Sequence, residues 1–279
     1  LQLLTISDLQ TDWQPLLSNV GYLGQLYDHF KRHDSGDRDI PVHIYGESTR
    51  EPGVHASEVS GCLRRLVYGI QGAQRRVKPE DVNINMRRRF QLGHMLHALT
   101  QDDFDLMCMH TDGKLTFLDE VKVHPDMGGA AETYHIHSSC DGIFTFLNEQ
   151  YNPYLRVGLE IKTMSADQFE KATKPLDYHL DQVCVYMKTL DLPLMWLFYY
   201  NKSNSNWTKP MAPYLITFDH KLWGRLEQRI THAYAAASAR QLPERQEGLP
   251  CTWCPFTWTC EPTSLKRRNA PPPKPGDFR

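Results

Sequence analysis

The stretch LRVGLEIK at 155–162 constrains the fold more than any other segment. Leu155, Val157, Leu159 and Ile161 alternate with Arg156, Gly158, Glu160 and Lys162. A period of two fits a pleated strand with one apolar face and one polar face. The apolar face must be buried. The other face then carries an acid and an amine side by side, which alone would be an ordinary surface ion pair.

The surrounding sequence reads as more strands and helices. Residues 114–123 and 132–148 have strand composition, with a break at Gly128 and Gly129. NEQYNPY is short enough for a hairpin loop between DGIFTF and LRVGLEIK. Residues 193–200 (PLMWLFYY) read as a buried strand and 213–218 as a further one. Helical spacing over 86–107 places Phe90, Gly93, His97, Gln101 and Phe104 on one stripe, and Gly93 allows a close approach there. Residues 176–190 form another helix. Asp219 caps a long one whose Leu222, Leu226, Ile230, Tyr234 and Ala237 share a face before Pro243. Ser57 suits an N-cap, Glu58 a first turn, and Val59, Cys62, Leu63, Leu66 and Ile70 a buried helical side. A helix over 12–33 is expected, with Leu16, Leu17, Val20, Leu23, Leu26, Tyr27 and Phe30 giving its apolar spacing. The whole is an α/β chain, a central mixed sheet flanked by helices.

In this arrangement the hairpin brings Asp141, which opens DGIFTF, near Glu160 and Lys162. Two carboxylates placed together repel unless a cation joins them. Mg²⁺ or Mn²⁺ takes such hard oxygen ligands, acidifies a bound water and neutralises charge on a phosphoryl group. A lysine beside it can orient that water or stabilise the transition state. Without such a role, His97 reads as a satisfied core histidine, and Gln182 and Tyr186 as helix surface.

The other chemical signal is CTWCPFTWTC, a C-x₂-C-x₅-C run that supplies Cys251, Cys254 and Cys260 as soft ligands. Such thiolates hold an iron–sulfur cluster or zinc. Cys108, Cys140 and Cys184 lie in apolar surroundings as small hydrophobes, and alternation turns Cys140 away from its neighbour Asp141. Seven cysteines, an odd count, argue against a disulfide framework. The net charge is −2, so affinity for nucleic acid must come from local patches. Arg64, Arg65, Arg75, Arg76, Arg87, Arg88 and Arg89 form such patches, with Lys266, Arg267 and Arg268 after the cysteines. Trp253, Phe256 and Trp258 can stack bases or pack around the metal. No apolar run reaches the roughly 18 residues of a membrane span, and no secretory signal is evident. The expectation is a cytoplasmic protein with no membrane contact.

CDGIF followed by LEIKT resembles the D…ExK signature of the PD-(D/E)XK nucleases. GHMLH at 93–97 resembles the GxxxH element of their RecB-like branch, and DQVCVYM the QxxxY element, met by Gln182 and Tyr186. SEVSGCLRRLVY and CTWCPFTWTC resemble the one-plus-three cysteine pattern of CRISPR-associated RecB-like exonucleases, AddB-type nuclease domains and phage homologues. The resemblance covers roughly 55–262 and implies a restriction-endonuclease-like core with a helical iron–sulfur lobe. It implies His97, Asp141, Glu160 and the carbonyl of Ile161 as metal ligands, and Lys162 as catalytic. Gln182 and Tyr186 would position the lysine or DNA. A 4Fe–4S cluster would join Cys62, Cys251, Cys254 and Cys260, with zinc as the alternative. The domain division that follows is a helical extension at 1–54, the nuclease at 55–269 and a Pro-rich tail at 270–279. The implied activity is a metal-dependent DNA exonuclease acting on single strands or ends, possible in a 5′-to-3′ sense, serving recombination, repair or CRISPR and phage DNA processing. The competing reading is a non-catalytic DNA-end binding subunit of a recombination or spacer-acquisition complex. Oligomeric state and protein partners are open.

Overall fold

The computed structural model describes residues 23–27, 50–75, 84–203, 211–244, 251, 254–256 and 259–260, with backbone alone at 84–87 and 211–212. The named elements are α1 (Leu63–Ile70), α2 (Ile84–Met109), β1 (Leu115–Val123), α3 (Gly129–Thr133), β2 (Ser138–Leu147) and β3 (Pro153–Met164). They continue with α4 (Ala166–Lys171), α5 (Asp177–Leu190), β4 (Leu194–Asn201), β5 (Met211–Thr217) and α6 (His220–Ser238).

The five strands form one sheet in the order β1-β2-β3-β4-β5. All neighbours are antiparallel except β3 and β4. That parallel pair requires a crossover, which α4 and α5 provide. The alternation in LRVGLEIK is realised as expected. Leu155, Val157, Leu159 and Ile161 are buried in a core with Phe104, Phe144, Trp196 and Phe198. The opposite core joins α1, α5 and α6 to the sheet through Leu66, Val183, Met187, Leu226 and Ile230. Every residue of β4 is buried, which is why PLMWLFYY is apolar without a break. Asp219 caps α6, its Oδ1 accepting from the N–H groups of Lys221 and Leu222 at 2.8 and 3.0 Å.

Several expectations need correction. The run from Ser57 is not one helix. Ala56–Glu58 is a 3₁₀ turn and α1 starts at Leu63, so Cys62 is a half-buried N-cap residue, not part of a buried helical face. Glu58 lies in the first turn of that 3₁₀ helix, and its side chain turns inward to three arginines. Residues 129–133 are helical, so the second strand starts only at Ser138. Phe90 is 55% exposed and Phe104 fully buried, so the α2 stripe enters the core only towards its C-terminal end. Of the helix expected over 12–33, the described part, 23–27, is helical, with Leu23 and Tyr27 packed into the Phe104 core. The remainder, and the tail at 270–279, lie outside the described residues.

Two glycines allow close approaches. A Cβ at Gly93 would stand 3.1 Å from Thr163 Oγ1, which brings α2 against the end of β3 as its sequence position suggested. Gly53 has φ +144° and runs beside 135–137. A Cβ there would meet the His135 carbonyl oxygen at 2.7 Å. Gly53→Ala is therefore expected to cost about 1–3 kcal/mol, from strain and backbone overlap together. Urea unfolding would read it, and an unchanged midpoint would contradict the packing.

Candidate active site

The β2–β3 hairpin places the two acids. The last register pair before them is Gly142 with Leu159. Beyond it the Asp141 carboxylate takes over as acceptor, with Oδ2 receiving the Ile161 N–H at 2.6 Å. Asp141 is thereby locked beside the Glu160–Ile161–Lys162 segment. Helix α2 brings His97, whose Nδ1 lies 3.5 Å from Asp141 Oδ1. Gln101, one turn further on, donates to the Asp141 carbonyl at 2.7 Å and to Glu120 at 3.2 Å.

Helix α5 closes the other side. Glu160 Oε1 receives Lys162 Nζ at 2.5 Å and Gln182 Nε2 at 2.8 Å. Lys162 also donates to Gln182 Oε1 at 2.9 Å. Gln182 Nε2 reaches Tyr186 Oη at 3.0 Å, and that hydroxyl donates to the Ser139 carbonyl at 2.6 Å. Gln182 and Tyr186 stand at i and i+4, so one helical face reaches the site twice. Both are buried, which excludes the plain surface alternative.

The charges are strongly interdependent. Burial pushes the Glu160 carboxyl up to about 7; Lys162 opposes this and the Asp141 charge reinforces it. Burial also works against the charge on Asp141, but His97, Lys162 and the Ile161 N–H together hold its carboxyl below the ordinary value. For His97 and Lys162 burial is outweighed by the neighbouring carboxylates, and both are raised. Glu160 Oε2 is buried with no hydrogen-bond partner. A buried, unpaired carboxylate oxygen is costly unless something cationic meets it. The residues therefore fit a divalent ion held by Asp141, Glu160 and His97. They are not a tight cage, however. Among the described residues, the set of three ligand atoms all within 4.8 Å of one another is Glu51, His124 and His137. A cavity of about 280 Å³ adjoins Lys162 and is lined also by Lys171, Tyr178 and His179.

The cysteine loop docks on α1. Phe256 is fully buried against Tyr68, with ring centroids 5.4 Å apart. Tyr68 donates to the Thr259 carbonyl at 3.3 Å. Burial raises the Cys254 thiol, with smaller contributions from the nearby Cys62 and Cys251, and Arg64 reaches Cys260 Sγ at 3.6 Å. The sequence-distant Cys62 thus stands with Cys251, Cys254 and Cys260 in one region. Among the described residues, no three of their sulfurs all lie within 4.8 Å of one another.

The arginines divide. Arg64 also donates to the Pro243 carbonyl, and Arg65 and Arg75 bind Glu58, so these three serve internal contacts. Arg88 and Arg89 are exposed on α2. The side chain of Arg87, and Arg76, Trp253, Trp258 and 266–268, lie outside the described residues. Cys140 is buried as expected, its thiol donating to the Leu159 carbonyl at 3.2 Å.

No known family's sequence profile matches the chain, and no curated protein sequence matches it. Among solved structures it is similar to SSO0001, at 17% identity over 86% of this chain and 96% of that one, with a TM-score of 0.45. It is also similar to LHK-Exo, an alkaline exonuclease from Laribacter hongkongensis, at 14% identity over 68% of this chain and 90% of that one, with a TM-score of 0.48. A further structure, LHK-Exo in complex with dAMP, gives 15% identity, coverage of 68% and 89%, and a TM-score of 0.46. Among the described residues no helix is long and apolar enough to cross a membrane.

Gln101, Glu120 and Ser139 join the site although no motif in the sequence marks them. Glu120 has φ +46° and accepts from Gln101 and, at 2.8 Å, from Ser139 Oγ. A non-glycine residue held there, next to Asp141, marks stored strain at the site. The signal available in sequence was Gln101 on the His97 stripe. Glu120 had none, because its role depends on an irregularity of strand pairing.

Proposed function

We propose that the chain is a divalent-metal-dependent deoxyribonuclease of the PD-(D/E)XK type, in its RecB-like branch. The observation that carries this reading is the convergence of Asp141, Glu160 and Lys162 from one hairpin, with Glu160 Oε2 buried and unpaired. His97, Asp141, Glu160 and the Ile161 carbonyl would hold Mg²⁺ or Mn²⁺. Bound there, the ion would acidify a water and offset charge on the phosphoryl oxygens. Lys162, fixed by Gln182, would steer that water and the scissile phosphate. Tyr186 holds Gln182 in turn, a positioning role. Arg88 and Arg89 would meet the phosphate backbone without reading sequence, so affinity would fall with salt.

The substrate is DNA with a free end, single-stranded in preference, and an exonuclease working 5′ to 3′ is the finer reading. We assign a 4Fe–4S cluster to Cys62, Cys251, Cys254 and Cys260, with zinc as the alternative; the one-plus-three order of these cysteines in the sequence suggests it. The cluster would tie α1 to the cysteine loop, and metal binding would then count as folding energy. Iron and acid-labile sulfide are expected in equal amounts, with absorbance from thiolate–iron charge transfer. A colourless, zinc-loaded protein would overturn this assignment.

The decisive test of function is digestion of end-labelled single- and double-stranded DNA with Mn²⁺ or Mg²⁺. Stepwise loss of label from one end is expected, abolished by chelation. Binding of ends without cleavage would instead favour a non-catalytic subunit.

A further inference from the structure

A different cluster lies beyond the paired ends of β1 and β2. His124 follows the last residue of β1 and His137 precedes the first of β2. Glu51 belongs to the segment that Val54 joins to Ile136 by a parallel bridge. Glu51 Oε2 stands 3.1 Å from His137 Nδ1 and 3.6 Å from His124 Nε2. All three ligand atoms lie within 4.8 Å of one another.

The surroundings support an ion between them. His124 Nδ1 is 2.7 Å from Asp126 Oδ1. A carboxylate on one ring nitrogen fixes the ring and leaves the other to ligate, as in carboxylate–histidine–metal arrangements. The His137 side chain is only 10% exposed, and its Nε2 is buried without a partner. The His135 ring stands 4.8 Å from that of His137. Glu51 and His124 are 64% and 48% exposed, which leaves an entry path and room for water ligands.

We propose that Glu51, His124 and His137 form a further metal site, for a divalent transition ion of the zinc class. Two imidazoles and one carboxylate suit that class; Mg²⁺ and Ca²⁺ prefer oxygen alone. The ion would pin the 50–55 segment to the β1–β2 end and steady the run leading to Glu58 and Cys62. The site does not depend on the nuclease reading, since none of its ligands belongs to the Asp141–Glu160 cluster.

Co²⁺ titration of the intact chain tests it, read by visible d–d absorption and by the melting temperature. The unaltered protein and its Asp141→Asn variant are expected to take up Co²⁺ without a thiolate charge-transfer band and to melt higher. Introduced into the Asp141→Asn background, His124→Gln and Glu51→Gln, both at exposed positions, should weaken that uptake by more than about 10-fold and lose the melting shift. Neither should change melting without Co²⁺. Equal uptake by Asp141→Asn and by both double variants would overturn the proposal, as would loss of all uptake in Asp141→Asn alone.

Discussion

Glu160→Gln is expected to slow DNA cleavage by at least about 10³-fold while the chain stays folded. The substituted amide keeps the shape that lies between Lys162 and Gln182, at 2.5 and 2.8 Å. What disappears is the negative charge that would bind a cation. Stability should change little, because burial already disfavours the ionised form of this side chain, which is 2% exposed. Lys162 retains Gln182 Oε1 as an acceptor. The pairing of lost turnover with an unchanged melting temperature distinguishes a metal-binding acid from a structural one. Turnover within a few fold of the unaltered protein would remove Glu160 from the chemistry.

Glu58→Ala should have the largest effect on stability, about 3–5 kcal/mol. The Glu58 side chain is fully buried, and its Oε1 accepts from Arg50, Arg65 and Arg75 at 2.9, 2.9 and 2.7 Å. Arg75 adds a second bond to Oε2 at 2.9 Å and stacks over Phe256, with 5.0 Å to the ring centroid. Removing the acid leaves three guanidinium groups facing one another beside the cysteine loop. Although burial alone would raise it, these arginines hold the Glu58 carboxyl at about 2. A depressed acid stabilises the fold at pH values above its unfolded pKa of about 4.3, and the contribution is lost as pH falls toward 2. Its size is about 3 kcal/mol, from a little over two pH units at about 1.4 kcal/mol each. Urea unfolding followed from neutral pH downward should therefore show a loss that Glu58→Gln does not share. Parallel acid profiles for the two proteins would contradict the pairing.

The strands and long helices were legible because their patterns are local. LRVGLEIK states its own period, and Asp219 states its own cap. The Asp141–Glu160 encounter was legible through one inference, that NEQYNPY closes a hairpin. Glu58 was not, because its partners Arg50 and Arg75 turn a surface-looking acid inward, and nothing within one helical turn announces that. Cys62 was placed in the right region of the molecule but on the wrong local structure. The Glu51, His124 and His137 cluster was invisible in sequence. Its members meet only through the Val54–Ile136 bridge and the turn after β1. Arg64 and Arg65 looked like a DNA-facing pair, yet both are committed to internal acceptors.

The central claim is that Asp141, Glu160 and His97 grip one divalent ion. Crystals soaked in Mn²⁺, with diffraction recorded at the manganese absorption edge, address it directly. The account predicts an anomalous peak at Glu160 Oε2, within bonding distance of Asp141 and His97 and close to the Ile161 carbonyl. Density at Glu51 and His124 with none beside Glu160 would contradict it.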